Sequence, residues 1–264
     1  MIRRLALACL LVGSLPSAAA PPAERLIVQG HRGAGVLAPE NTLAAFRQGA
    51  AHGYRAFECD VKLSADGVPF LLHDATLDRT TPERGLAGER PWAELSRLDA
   101  GGWHSRQYAG EPPPSLQAIA RYILANRFAL NIEIKPTPGL ERATGEAVGR
   151  EVRRLWCGQK TLPLFSSFKP EALEGARDSA PEVPRALLVD TLWQGWLDTA
   201  RALGCVAVVT NYAVMSADVL GLLHSHGLRG LCYTVNDPSV AAWLQGLGIA
   251  GIITDAVDRF PPAG

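Results

Sequence analysis

The chain has 264 residues, 47% of them apolar, enough for one sizeable buried core. Lysine plus arginine and aspartate plus glutamate balance at 26 each, so the formal net charge is zero. That balance argues against bulk binding to nucleic acid or to an anionic membrane, and leaves any phosphate preference to a local site.

Met1-Ile2-Arg3-Arg4 is a positive start, residues 5–15 form an apolar run, and Ser17-Ala18-Ala19-Ala20 offers small residues for cleavage. This is the pattern of a secretory signal peptide over residues 1–20. The apolar run is too short to cross a bilayer as a helix. The expectation is a periplasmic or secreted protein with no stable membrane insertion after cleavage, and a single domain over residues 25–264. Past the leader, which itself holds Cys9, the cysteines are Cys59, Cys157, Cys205 and Cys232. An even count permits disulfides in an exported protein, but three of them sit in apolar runs, where buried free thiols are at least as expected. No two are spaced as a metal knuckle, so no structural zinc is expected.

Short apolar strand patterns fall at residues 26–29, 56–63, 68–72, 129–135, 162–168, 185–189, 206–210, 230–235 and 250–254. Amphipathic helix patterns fall at 42–52, 115–126, 139–156, 170–179, 192–203, 216–225 and 238–247. Such alternation predicts a parallel sheet covered by helices. About eight strand–helix units in a chain of this size predict a TIM (β/α)8 barrel, with a doubly wound open sheet as the other arrangement. Strand 68–72 follows the Asp66-Gly67 turn, so it reads as a hairpin extension of the second unit. Residues 76–114 break the rhythm: they are rich in Gly, Pro, Arg and Trp, with one short helical piece at 92–98. A stretch that long reads as a functional insertion over the barrel mouth.

Side chains two apart on a strand share a face, so Glu58 and Asp60 point together while Phe57, Cys59 and Val61 point away. Glu133 and Lys135 share a face in the same way. His31 and Arg32 follow the first strand, and His73 ends the third. In a barrel of this kind functional groups gather at C-terminal strand ends, where all of these fall. Three carboxylates meeting at one mouth repel one another, and a divalent cation offsets that repulsion. An all-oxygen donor set suits magnesium or calcium better than zinc. The competing reading is a buried ion-pair network in which Arg32, Lys62 and Lys135 neutralise the acids.

Histidine is the side chain best placed for proton transfer near neutral pH, so His31 and His73 read as a base–acid pair on opposite sides of a reacting phosphorus. Arg32 and Lys135 are natural phosphate clamps. His52, His104, His224 and His226 read as packed or surface groups. Ser166 and Ser167 read as phosphate donors or caps of the next helix, and Asn236 and Asp237 chiefly as a helix cap. Trp103 and Tyr108 either cover the mouth or fill the insertion's own small core.

The motifs His31-Arg32-Gly33, Pro39-Glu40-Asn41-Thr42, Glu58-Cys59-Asp60, Leu71-Leu72-His73-Asp74, Arg79-Thr80-Thr81, 131–135 (NIEIK), Ser166-Ser167-Phe168, 233–236 (YTVN) and 251–255 (GIITD) together resemble the glycerophosphodiester phosphodiesterase family. Order and spacing agree over nearly the whole chain after the leader. The resemblance implies a TIM barrel with a small insertion after the HD motif. It implies His31 and His73 as catalytic histidines, and Glu58, Asp60 and Glu133 as ligands of one divalent cation, Ca2+ or Mg2+. It places Arg32 and Lys135 near the phosphate, Glu40 as a support for the first loop, and Phe168 and Tyr233 on the glycerol or leaving-group side. Tyr233 stands where many members have tryptophan, and residues 82–90 depart from the usual glycine-rich wording. The implied reaction is hydrolysis of a small glycerophosphodiester to sn-glycerol 3-phosphate and an alcohol. A lipid-directed phosphodiesterase of the lysophospholipase D type and a non-catalytic glycerophosphodiester-binding protein are the rivals. The polar insertion weighs against the first rival, and the full set of histidines and acids against the second.

Overall fold

The computed structural model describes residues 26–260, so the leader expected at 1–20 lies outside the described residues. Nine strands form one sheet: β1 (Ile27–Gly30), β2 (Ala56–Leu63), β3 (Pro69–Leu71), β4 (Ala129–Ile134), β5 (Leu164–Ser167), β6 (Arg185–Val189), β7 (Ala207–Asn211), β8 (Arg229–Tyr233) and β9 (Gly251–Thr254). All but β3 are parallel, and β1 pairs with both β2 and β9, so these strands close into a barrel. Closure rules out the open doubly wound sheet. β3 runs antiparallel on β2 as the hairpin extension that the Asp66-Gly67 turn predicts.

The helices are α1 (Leu43–Ala51), α2 (Trp92–Leu95), α3 (Leu116–Asn126), α4 (Glu141–Leu155), α5 (Pro170–Ser179), α6 (Trp196–Ala202), α7 (Ala217–Ser225) and α8 (Pro238–Leu247). Their starts carry local signals. Thr42, Ser115 and Ser216 accept backbone N–H bonds as N-caps, Asp237 does the same for α8, and Pro170 and Pro238 stand in first turns. One boundary differs. The pattern over 192–203 predicts a helix from Leu192, but α6 begins at Trp196 because Gly195 takes a left-handed conformation (φ 92°).

The main core lies between barrel and helices, where outward-facing Phe57, Cys59 and Val61 of β2 meet residues such as Phe46 and Ile119. A smaller cluster, including Leu188, Val209, Leu231 and Ile253, fills the barrel interior. The insertion has its own core of Phe70, Leu72, Leu77, Ala87 and Leu95, with Trp92 and Leu98 against it. Tyr108 packs on the main core instead, and Trp103 stands exposed. Cys59, Cys205 and Cys232 are buried free thiols, and Cys157 is an exposed one.

Candidate active site

β2 and β4 lie side by side in register, with Asp60 opposite Glu133 and Glu58 opposite Asn131. Because alternate residues face the barrel interior, this register brings Glu58, Asp60 and Glu133 together at the C-terminal end. One oxygen from each lies within 4.8 Å of the others. Glu58 and Asp60 are only 2% and 0% exposed, and Glu58 Oε1 and Asp60 Oδ1 are buried without a hydrogen-bond partner. Orphaned anionic acceptors turned toward one another are costly unless a cation joins them. An all-carboxylate cluster of this kind suits a hard divalent cation.

The charge balance is uneven. Burial and the Asp60 charge push the Glu58 carboxyl up to about 8, and burial and the same neighbour raise Glu133. Burial also disfavours Asp60 as an anion, but Lys135 and Arg32 outweigh it and hold Asp60 well below the usual carboxylate range. Lys135 Nζ stands 3.1 Å from Glu133 and 3.5 Å from Asp60, and Arg32 Nε 3.4 Å from Asp60. Lys62, named in the ion-pair alternative, takes another role. Its Nζ donates to the carbonyls of His73 and Lys135, at 3.3 and 3.0 Å, which ties two strand ends together.

Each of the two site histidines is held by an aspartate. His31 Nδ1 lies 2.6 Å from Asp255 Oδ1, and its Nε2 lies 3.8 Å from Glu58. His73 Nδ1 lies 2.7 Å from Asp74 Oδ1. A carboxylate accepts, so in both rings Nδ1 is the donor and Nε2 is left for chemistry. Their titrations diverge. Burial depresses His31, but the Asp255 hydrogen bond and the Glu58 charge outweigh it and the net shift is upward from 6.5. Burial also leads at His73, and there the net shift is downward.

The first loop is built by long-range contacts that its sequence does not announce. Arg32 has a left-handed backbone (φ 51°) and donates its N–H to Glu58 Oε2 at 3.0 Å. Asn41 also sits at positive φ (59°) and clasps Asp60, donating Nδ2 to Oδ2 at 2.7 Å and accepting the Asp60 N–H at 3.0 Å. Gly35 is left-handed as well, and a side chain there would collide with the Asp255 backbone. Asn236 is no helix cap: it donates to Asp255 Oδ2 and accepts the Asp255 N–H, while Asp237 alone caps α8. Ser167 donates to the Ile134 carbonyl and accepts the Lys169 N–H, and Ser166 donates to Asn131, so both lock strand ends and neither caps α5.

Nothing in the Arg79-Thr80-Thr81 motif announces the contacts of Arg79. Its guanidinium forks onto Glu40 (2.7 Å twice) and onto Asp74 (2.7 and 3.0 Å). Glu40 in turn accepts from Arg32 Nη1 at 2.8 Å. Glu40 thus supports the first loop as expected, and one chain of charged contacts runs from His73 to Arg32.

These groups open on one cavity of about 370 Å³, lined by His31, Arg32, Glu58, His73, Glu133 and Lys135 on one side and by Phe168, Tyr233 and Asp190 on the other. Phe168 and Tyr233 meet edge to face at 5.7 Å, and Tyr233 OH donates to Asp190 at 3.0 Å. A second cavity of about 360 Å³ shares His31 and Arg32 and adds Val36, Glu40, Trp103, His104 and Asp255. His104 therefore borders the site, its Nε2 2.9 Å from the Val36 carbonyl oxygen. His52, His224 and His226 lie at helix ends away from it.

A sequence profile described as the Glycerophosphoryl diester phosphodiesterase family matches residues 31–259. A phosphodiesterase from Oleispira antarctica, solved in complex with the product sn-glycerol-3-phosphate, is 33% identical, with a TM-score of 0.82 over 88% of this chain and 94% of that one. A glycerophosphodiester phosphodiesterase from Agrobacterium tumefaciens is 28% identical, with a TM-score of 0.74 over 89% and 98%. The glycerophosphodiester phosphodiesterase of Caldanaerobacter subterraneus subsp. tengcongensis is 28% identical over 88% of this chain and 94% of its own length.

Proposed function

The chain belongs to the glycerophosphoryl diester phosphodiesterase family and is an enzyme of that activity, and from this premise we propose how its own residues cleave the diester. The reading is metal-dependent hydrolysis of a small glycerophosphodiester to sn-glycerol 3-phosphate and an alcohol. One observation carries it: three buried carboxylates meet at one end of the barrel, those of Glu58 and Asp60 with orphaned oxygens, and two aspartate-anchored histidines line the same cavity as Glu58 and Glu133. The product bound to the Oleispira antarctica relative supports the choice of product.

Glu58, Asp60 and Glu133 would hold one divalent cation, calcium or magnesium. A cation held there would supply positive charge to the phosphate oxygens as negative charge builds on them. Arg32 and Lys135 bind the phosphate from the cavity wall, Arg32 by its fork and Lys135 as a point charge. His73 has the lowered pKa, so it is neutral near pH 7, and its Nε2 takes the proton of the attacking oxygen. His31 has the raised pKa, so it holds its proton more tightly than His73, and its Nε2 gives that proton to the departing alcohol oxygen. Asp74 and Asp255 fix both rings. Phe168 and Tyr233 close the apolar side of the cavity around the glycerol or leaving group.

Export to the periplasm or beyond belongs to the same proposal and rests on the leader pattern of residues 1–20. Recovery of the protein from the exported fraction with a new N-terminus near Ala20 checks it. A chain still beginning at Met1 inside the cell sinks it.

The direct test measures sn-glycerol 3-phosphate released from glycerophosphocholine after chelation, then with calcium or magnesium restored. His31→Ala and Glu58→Ala run beside the wild type. Restored activity that both variants lack supports reaction, cation and site together. A folded, cation-binding protein that is inactive on every glycerophosphodiester overturns the reading.

A further inference from the structure

Among the described residues two cationic side chains are buried, Arg185 and Lys62, and Lys62 stands near the C-terminal end of β2, beside the site. It is 1% exposed. A cation withdrawn from water is costly unless it is well paired, yet the site acids pair with Arg32 and Lys135 and not with Lys62. Its Nζ goes to two backbone oxygens instead, those of His73 at 3.3 Å and Lys135 at 3.0 Å. Those oxygens lie where the sheet runs out. β2 lies between β3 and β4, which end at Leu71 and Ile134. Just past these ends the Leu72 N–H still reaches the Asp60 carbonyl (3.2 Å), and the Lys135 N–H the Val61 carbonyl (2.8 Å). The carbonyls of His73 and Lys135 point beyond both ladders and accept from no backbone N–H among the described residues. A carbonyl in a partly buried place needs a donor, and Lys62 serves both.

We propose that Lys62 is a positioning residue of the diesterase: by donating to both carbonyls it fixes the His73 ring and the Lys135 ammonium relative to each other, so that base and phosphate clamp are held as one unit. His73 and Lys135 both line the catalytic cavity, whereas Lys62 does not. It borders instead a side cavity of about 240 Å³ that those two residues also line, so it acts through them and not on the substrate. β2 is well placed for this task. It carries Glu58 and Asp60 as well, so acids, base and clamp all take their positions from one strand. Packing does not account for a lysine here, since methionine has a similar length and would carry no buried charge. The inference rests on the diesterase reading for what His73 and Lys135 do; the arrangement itself is read without turnover.

The test compares wild type with Lys62→Met, which keeps the bulk and removes the donors. Lys62→Gln, a shorter donor, takes its place if the methionine variant does not fold. Without turnover, the imidazole NMR signals of His73, identified by their loss in His73→Ala, should shift in Lys62→Met while those of His31 stay in place. Binding of sn-glycerol 3-phosphate, followed by calorimetry, should weaken about tenfold as the Lys135 clamp drifts. With calcium or magnesium at saturation, kcat for glycerophosphocholine should fall about 10–100-fold, the usual effect of losing a group that orients a working side chain. Unmoved His73 signals in a folded variant overturn the inference, as does an unchanged kcat in an active enzyme. So does a kcat loss that excess cation restores, which would place Lys62 with the acids. Wild type that is inactive on every glycerophosphodiester overturns the diesterase reading instead, and the His73 signals still decide this one.

Discussion

Replacing Arg79 tests whether the contacts between the two catalytic loops matter for catalysis or only decorate the surface. Its guanidinium makes bonds of 2.7–3.0 Å to Glu40 and Asp74. With the side chain 43% exposed, solvent screens each of these, so Arg79→Ala should lower stability by only about 1–2 kcal/mol. Catalysis should suffer more. Asp74 is the partner that fixes the His73 ring, and groups that orient a working side chain typically cost about 10–100-fold when lost. The expected outcome is a fall of that size in kcat for glycerophosphocholine, with little change in KM. The Arg79 hydrogen bond is the chief reason Asp74 lies below the ordinary carboxylate range. Without that competing cation Asp74 turns its charge on the His73 ring and strengthens its hold on a proton, so the acid side of the kcat profile, which His73 sets, should move upward. Arg79→Lys keeps the charge but cannot fork onto two carboxylates, and should fall between wild type and alanine. Steady-state kinetics across pH, with a thermal unfolding midpoint for each variant, decide the matter. A folded Arg79→Ala enzyme with unchanged kcat and an unmoved acid limb refutes the reasoning.

Other consequences follow from the same geometry. Glu58 has a folded-state pKa near 8 against 4.5 for the free group, so its contribution to stability is complete below about pH 4.5 and is lost as pH climbs through about 8. Urea midpoints measured under chelation should therefore drop across that window, and the drop should shrink when calcium or magnesium is added; a flat or rising midpoint contradicts the burial assigned to this group. The cation should also raise the unfolding midpoint of wild type, by about 2.7 kcal/mol of stability at a hundredfold excess over Kd, and Glu133→Gln should lose most of that gain in a thermal-shift titration. Activity should follow a bell in pH. It rises as His73 loses its proton below 6.5 and falls as His31 loses its own above 6.5, and each alanine variant should erase the limb of the residue it removes.

Much of this was legible from the residues because the barrel is written locally. Every strand pattern matches an observed strand to within a few residues, and the caps at Thr42, Ser115, Ser216 and Asp237 fix four of the eight helix starts. The acids of β2 and β4 were legible too, since period-2 alternation decides which side chains share a face. What stayed hidden depends on contacts distant in sequence. Asp255 lies 224 residues from the histidine it holds, and only the pairing of β1 with β9 brings them together. Asn41 reads as part of a helix start, yet its side chain clasps Asp60 on the neighbouring strand. Arg79 and Asn236 sit in recognisable motifs whose partners no spacing rule supplies. Gly195 alone displaces a helix start by four residues, because periodicity counts apolar positions and does not see a left-handed turn.

The two histidines differ in how each is anchored, and this explains how their proton affinities part. His31 depends on barrel closure: it follows β1, its partner follows β9, and its free nitrogen looks at Glu58 on β2. His73 depends on its next neighbour, Asp74, which the insertion steadies through Arg79. The first ring is pinned between two carboxylates and gains affinity for a proton. At the second, the charges of Arg32 and Lys135 add to burial and, against the pull of Asp60, leave it lowered. On the proposed mechanism, two copies of the same side chain thus take opposite tasks from their surroundings, as general acid–base chemistry across one phosphorus requires. It also divides the molecule into parts that can vary separately. Changes in the insertion should reach the reaction through His73, whereas changes at the β1–β9 seam should reach it through His31. The acids of β2 and β4, fixed by strand register alone, should keep their cation in either case.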